Sequence, residues 1–102
     1  MFMARPRGGG FCYTESEMAA MERDIEMARA RLTTSQARLR EAEANATKAA
    51  HDVERLRGLL AKDEIAQQQY DAAVAAAAAT TAAVESAKAQ VTEAEAAIKA
   101  SE

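Results

Sequence analysis

The residues that could carry chemistry are few and stand apart from one another. His51 has no cysteine or second histidine three or four residues away, the spacing at which helical side chains share a metal ion. We therefore expect a solvated surface histidine and no metal site. Cys12 is the single cysteine, so it cannot form an internal disulfide, and we interpret it as an incidental thiol.

Four carboxylates lie close together in the sequence, but their pattern does not predict catalysis. A catalytic carboxylate needs a pocket that shifts its pKa and excludes water. The heptad pattern described below predicts a rod of long helices, which offers no such pocket. We therefore expect these carboxylates to lie on a solvated face. We predict no enzyme, no catalytic residue and no cofactor. The four residues are Glu41, Glu43, Asp52 and Glu54.

The composition favours long helices over a compact globule. The 102 residues include two tyrosines, two phenylalanines and no tryptophan, and alanine dominates the apolar set. Such side chains offer little bulk for a close-packed core, whereas Ala, Glu, Lys, Arg and Gln are good helix formers. The 13 basic and 16 acidic residues are mixed along the chain. No basic stripe is present, so we do not expect a nucleic-acid partner.

Neither a membrane span nor a signal peptide is predicted. The longest apolar stretch, residues 72–84, is well short of the roughly 20 residues that a spanning helix needs. Residues 1–14 contain three of the four glycines and the only proline, and they lack the apolar segment of a signal peptide. We interpret residues 1–14 as a flexible leader that precedes the fold.

From Glu15 onward, apolar or small residues recur with alternating spacings of three and four. This heptad pattern predicts a long helix over about residues 15–60 whose apolar seam packs against another helix. In an unconstrained amphipathic helix the apolar positions would shift gradually out of a seven-residue repeat, and these positions show no such shift. The seam positions are Met18, Met21, Ile25, Ala28, Leu32, Ser35, Leu39, Ala42, Ala46, Ala49, Val53, Leu56 and Leu60.

The pattern breaks at residues 61–65 and resumes in a new phase, which predicts a second helix over about residues 66–100. Gly58 should loosen the end of the first helix, and Asp63 is a plausible N-cap for the second. A short connection favours antiparallel neighbours. We therefore predict an all-α fold, a two-helix antiparallel coiled-coil hairpin over residues 15–101. The second seam is Ala66, Tyr70, Ala73, Ala77, Thr80, Val84, Ala87, Val91, Ala94 and Ile98.

Two groups of side chains could bind a partner, but packing is the simpler interpretation. Met18, Met21 and Met27 form a cluster of adaptable thioethers. Because Met18 and Met21 fall on the seam, we expect them in the core. Tyr70 falls on the second seam just after the turn, and we expect it to pack near the hairpin tip.

The tip segment ERLRGLLAKDEIAQQQYD, residues 54–71, closely resembles the hairpin tip of the membrane fusion proteins, the periplasmic adaptors of the HlyD family. The family's Arg, Leu and Ile fall on Arg55, Leu59 and Ile65, and its aromatic-acid pair falls on Tyr70 and Asp71. The family's serine, which caps the returning helix and contacts the channel, falls on Ala66. The alanine-rich arms are similar to the family's helices over about residues 28–100.

The resemblance implies a function that the heptads alone do not. The chain would be the hairpin of a periplasmic adaptor in a tripartite efflux pump or a type I secretion system. Its tip, formed by Arg55, Leu59, Ile65, Ala66 and Tyr70, would dock to a TolC-like outer-membrane channel, and its partners would include an inner-membrane transporter. The full-length parent would be a homo-oligomer in the periplasm, associated with the inner membrane. The alternative is a self-associating structural coiled coil that mediates dimerisation.

Overall fold

The structure, a computed structural model, describes residues 14–101 and forms a helical rod. Helix α1 comprises Glu15–Ala61 and helix α2 comprises Gln67–Ser101. The two helices lie side by side in opposite directions, joined by a short turn, in a rod of 89 × 17 × 14 Å. No strand occurs within the described range. The predicted all-α fold, a two-helix antiparallel hairpin, is confirmed.

Residues 1–13 of the predicted leader lie outside the described residues, whereas Thr14 belongs to the structured end of α1. We expected helices over about residues 15–60 and 66–100, and the structure has Glu15–Ala61 and Gln67–Ser101.

Helix α1 begins with a capping box. The Thr14 hydroxyl accepts from the Glu17 backbone N–H at 3.1 Å, and the Glu17 carboxylate accepts from the Thr14 backbone N–H at 2.9 Å. Each bond satisfies a backbone donor that the helix itself leaves without a partner. Glu15 and Glu17 also place negative charge beside the positive end of the helix dipole. The start of α1 is therefore fixed by local interactions.

The turn between the helices is a Schellman motif. The Glu64 N–H donates to the Leu59 carbonyl at 2.9 Å, and the Asp63 N–H donates to the Leu60 carbonyl at 2.9 Å. This pattern requires a left-handed residue at the position after the cap, and Asp63 supplies it with a φ of 58°. Our prediction that Asp63 caps the second helix is therefore wrong: Asp63 ends α1.

Ala66 occupies the N-cap position of α2. Its carbonyl accepts from the Gln69 N–H at 3.0 Å, and its own N–H donates to the Gln69 side chain at 3.1 Å. This is half of a capping box, because the methyl group of Ala66 cannot accept from the backbone of the first turn. The predicted seam at Ala66 is also wrong, since this residue lies in the turn and is exposed.

The two seams meet along most of the rod. Every predicted seam position from Ile25 to Leu60 in α1, and from Tyr70 to Ile98 in α2, is buried or half-buried in the structure. The residues between them are exposed, apart from a few near the tip. The heptad pattern therefore identifies the contact between the helices.

Little of this seam is fully covered. Among residues 14–101, only Ala28, Ala87 and Ala94 are buried, and none of the buried residues is polar. Alanine lets the helix axes approach closely, but a buried methyl group contributes only on the order of 0.8 kcal/mol. The hairpin is held together by many small contacts along its length and by no large core.

Helix α1 extends beyond α2 at the end opposite the turn. Helix α1 has 47 residues and α2 has 35. Leu32 lines a common groove with Ile98 and Lys99, so the described part of α2 ends close to this level of α1. Residues 15–25, which we call the overhang, therefore lie largely past its end. Our expectation that Met18 and Met21 are in the core is wrong, because they are 51% and 41% exposed.

The positive φ of Asp63 gives a first stability prediction. Replacing Asp63 with glycine removes the steric cost of the left-handed backbone, which is about 1 kcal/mol for residues with a Cβ. We expect Asp63→Gly to raise the free energy of unfolding by about that amount, measured by urea denaturation followed by circular dichroism.

The matched control for this change is Lys62→Gly. Lys62 has a φ of −98°, so glycine relieves nothing there and adds backbone entropy to the unfolded chain. Asp63→Gly should stabilise the hairpin and Lys62→Gly should destabilise it. An equal effect of the two changes would contradict the Schellman assignment.

Gly58 gives a second prediction. It lies inside α1, and a Cβ added there would meet no atom within 4 Å. Because glycine is about 1 kcal/mol less favourable than alanine in a helix interior, Gly58→Ala should raise the free energy of unfolding by up to that amount. A loss of stability in the same urea titration would show that the helix near the tip is not regular.

Candidate interaction surfaces

The tip places the five residues that the sequence singled out within one end of the rod. Leu59, Ile65 and Tyr70 are half-buried between the helix ends, whereas Arg55 and Ala66 are exposed. An Arg55 side-chain nitrogen lies 3.3 Å from an Asp52 oxygen on the same helix face, and the Arg55 side chain is 63% exposed. Three of the five residues therefore close the end of the seam, and two face solvent.

Arg57 is the tip residue that the sequence analysis missed. Its guanidinium donates to the two Glu54 carboxylate oxygens at 2.6 and 3.0 Å. Tyr70, on the opposite helix, is the main cause that raises the pKa of the Arg57 guanidinium, and Glu54 adds to it. Arg57 on α1 therefore lies close to Tyr70 on α2 near the turn. The i, i+3 spacing of Glu54 and Arg57 was visible in the sequence, but its proximity to Tyr70 required the hairpin register.

Shallow grooves run along the line where the helices meet. One of these grooves has a volume of about 730 Å³ and lies near the open end of the hairpin. Its floor is made by small residues of both helices, and arginines and a glutamate stand at its edges. A groove of this kind can take side chains of another helix, as knobs enter holes in a coiled coil. The residues that define it are Ala28, Arg31, Ser35, Arg38, Glu93 and Ala94.

The overhang presents a second apolar surface. Met18 and Met21 are exposed on the continuation of the α1 seam, and Ile25 is half-buried. A groove of about 450 Å³ lies beside Ile25, between Glu22, Glu26 and Arg29. Here the seam continues in α1 without a described α2 residue opposite its first positions.

Residues 14–101 contain no group of three His, Cys, Asp or Glu side chains placed to hold a metal ion. His51 is exposed on α1, and Cys12 lies outside the described residues. Neither α1 nor α2 has a segment that is both apolar and long enough to span a bilayer.

Two curated proteins are similar to a short part of the chain. A CutC family protein of Klebsiella pneumoniae subsp. pneumoniae is 67% identical over 27 residues, which are 26% of this chain and 11% of that protein. A CutC family protein of Klebsiella pneumoniae strain 342 has the same identity and coverage. The chain therefore matches only about a tenth of the length of these relatives. No solved structure matches it.

A family model corrects the interpretation drawn from the tip motif. The CutC family model matches residues 1–99, and no comparison supports the membrane fusion proteins or the HlyD family. The predicted role as a periplasmic adaptor is therefore wrong, and so is docking to a TolC-like channel beside an inner-membrane transporter. The periplasmic localisation and the homo-oligomeric state stay predictions. With its family match spanning nearly the whole sequence, the chain belongs to the CutC family.

Proposed function

We propose that this chain is a non-catalytic, rod-shaped binding module of a CutC-family protein. The module packs its half-buried seam against the helices of a partner. The observation that carries the proposal is the burial pattern. Among the described residues only three alanines are buried, while the leucines and valines of both seams remain half-buried. Two helices alone cannot surround these side chains.

A third or fourth helix would complete the coverage. In helix bundles each apolar stripe is enclosed by two neighbours, which bury the flanks that a single pair leaves open. Each fully buried Leu or Val contributes roughly 1.5–3 kcal/mol relative to an exposed one. Full burial of the half-buried seam residues by another helix would therefore contribute favourable binding free energy along the whole rod.

One side of α2 is suited to such an approach. Val74 lies next to the seam position Ala73 and is 42% exposed. Ala78, one turn further along the same side of α2, is also exposed, and small side chains allow helix axes to approach closely. We propose that a partner helix packs on this alanine-rich face, with Val74 at the contact. A second copy of the chain is one partner of this kind, which is the dimerising coiled coil that the sequence left open.

Among the described residues, no group of His, Cys, Asp or Glu side chains is placed to hold a copper ion. Copper homeostasis, the role associated with the CutC family, would call for thiolate, thioether or imidazole ligands grouped around one position. Residues 14–101 include one histidine, and no metal-binding group of His, Cys, Asp or Glu is formed there. The proposed function is therefore built on packing surfaces, with no step through a metal.

Site-specific photo-crosslinking tests the proposed binding face. A photoreactive phenylalanine analogue replaces Val74 in the chain expressed in its native cells, and adducts are identified by mass spectrometry. We expect a defined adduct, either with a second copy or with a protein that contributes a helix, because the Val74 side chain would lie inside the contact.

The matched control places the same analogue at Gln68. Gln68 is exposed on α2 but lies on the side of the helix away from the seam, so it should give little or no adduct. Equal labelling from Val74 and Gln68, or no adduct from Val74, would contradict the proposed binding face.

A further inference from the structure

A second row of side chains runs along α2 beside the seam. Each member directly follows a seam residue in the sequence, so the row keeps the alternating spacing of three and four and lies along one flank of the helix. All of its members are exposed. The row, which we call the Val74 stripe, consists of Asp71, Val74, Ala78, Thr81, Glu85 and Lys88.

The charges of the Val74 stripe are complementary to those of its own reverse. When two copies are laid antiparallel about a point between Ala78 and Thr81, Asp71 of each copy falls opposite Lys88 of the other. A twofold axis relates these two contacts, as in any isologous interface. In the parallel orientation each charged residue would instead face its own equivalent, and like charges oppose pairing. The charge pattern therefore favours a second copy in the antiparallel orientation.

The middle of the Val74 stripe suits a close contact of this kind. In the same arrangement Ala78 falls opposite Thr81 of the second copy, and small side chains allow helix axes to approach closely. Val74, which is 42% exposed, falls opposite Glu85 of the second copy. The methylene groups of that glutamate can cover Val74 while its carboxylate stays in water.

The charged ends of the Val74 stripe are available for contacts with a second copy. Within residues 14–101 the Lys88 ammonium forms no ion pair. One oxygen of the Asp71 carboxylate accepts a hydrogen bond from the Gln67 side-chain amide at 2.9 Å. The other oxygen can accept from Lys88 of the second copy, because a carboxylate offers two acceptor oxygens.

From these observations we infer that a second copy of this chain occupies the Val74 stripe. The two copies form a twofold dimer with antiparallel α2 helices, and Asp71 and Lys88 of opposite copies pair at both ends of the contact. The inference rests on the proposed function, in which a partner helix packs at Val74, and it names that partner and its orientation.

Sedimentation equilibrium of the full chain tests the dimer. Asp71→Lys and Lys88→Asp should each raise the dimer dissociation constant about tenfold or more, because both symmetric contacts then join like charges. The double variant, Asp71→Lys with Lys88→Asp, should restore the constant to within about threefold of its original value. Glu93→Lys is the matched control. It changes the net charge as Asp71→Lys does, but Glu93 is exposed off the Val74 stripe, so it should leave the dimer unchanged.

Disulfide formation between copies tests the orientation. In chains that also carry Cys12→Ser, a mixture of the Val74→Cys and Glu85→Cys variants should form a mixed disulfide, because these positions fall opposite each other in the antiparallel dimer. A parallel dimer would instead join Val74→Cys chains to one another, and that result would overturn the inference.

Other results would also overturn the dimer. These are a monomer at all concentrations, a dimer that neither charge reversal weakens, or a double variant that stays as weak as the single variants. A photo-crosslinked adduct from Val74 with a different protein would overturn it too, while supporting the proposed function. Absence of any Val74 adduct would contradict the proposed function itself, so the two failures are distinguishable.

Discussion

The structure depends on one contact, the packing of two heptad seams of small and aliphatic residues against each other. That contact sets the antiparallel register, and the register decides which residues of α1 are opposite a residue of α2. Because alanine occupies many seam positions, the helices can lie close together, yet only Ala28, Ala87 and Ala94 are buried among the described residues. The small alanine side chain both lets the two helices approach closely and limits the apolar area that their contact buries.

Much of the fold could be predicted from the sequence, because heptad periodicity reports directly on which helix face is covered. The seam from Ile25 to Leu60 follows from spacing alone. The capping box at Thr14 and Glu17 also has a sequence signal, a threonine followed three residues later by a glutamate.

Other features depend on geometry that spacing does not contain. The exposure of Met18 and Met21 follows from the unequal lengths of α1 and α2 and from the register, so their periodicity gave the wrong expectation. Asp63 resembled an N-cap, but the backbone at the turn needs a left-handed residue at the end of α1. The effect of Tyr70 on the pKa of Arg57 involves residues on different helices, and no local pattern can identify their proximity.

The resemblance of the tip to the membrane fusion proteins also has a physical explanation. Any antiparallel hairpin needs apolar residues to close its seam at the turn, and here Leu59, Ile65 and Tyr70 meet that need as half-buried side chains. Such a motif indicates that the chain forms a hairpin tip, and it does not identify the partner that the tip binds. The match of residues 1–99 to the CutC family model draws on nearly the whole chain instead.

The proportions of the rod have a mechanical consequence. At 89 Å long and only 17 × 14 Å in cross-section, the hairpin is a lever whose two ends are far apart but joined by continuous helix hydrogen bonding. A small rotation imposed at the overhang would sweep the turn at Asp63 through a much larger arc. Helix α1 is continuous from Glu15 to Ala61, so no break in it provides a hinge that would absorb the rotation.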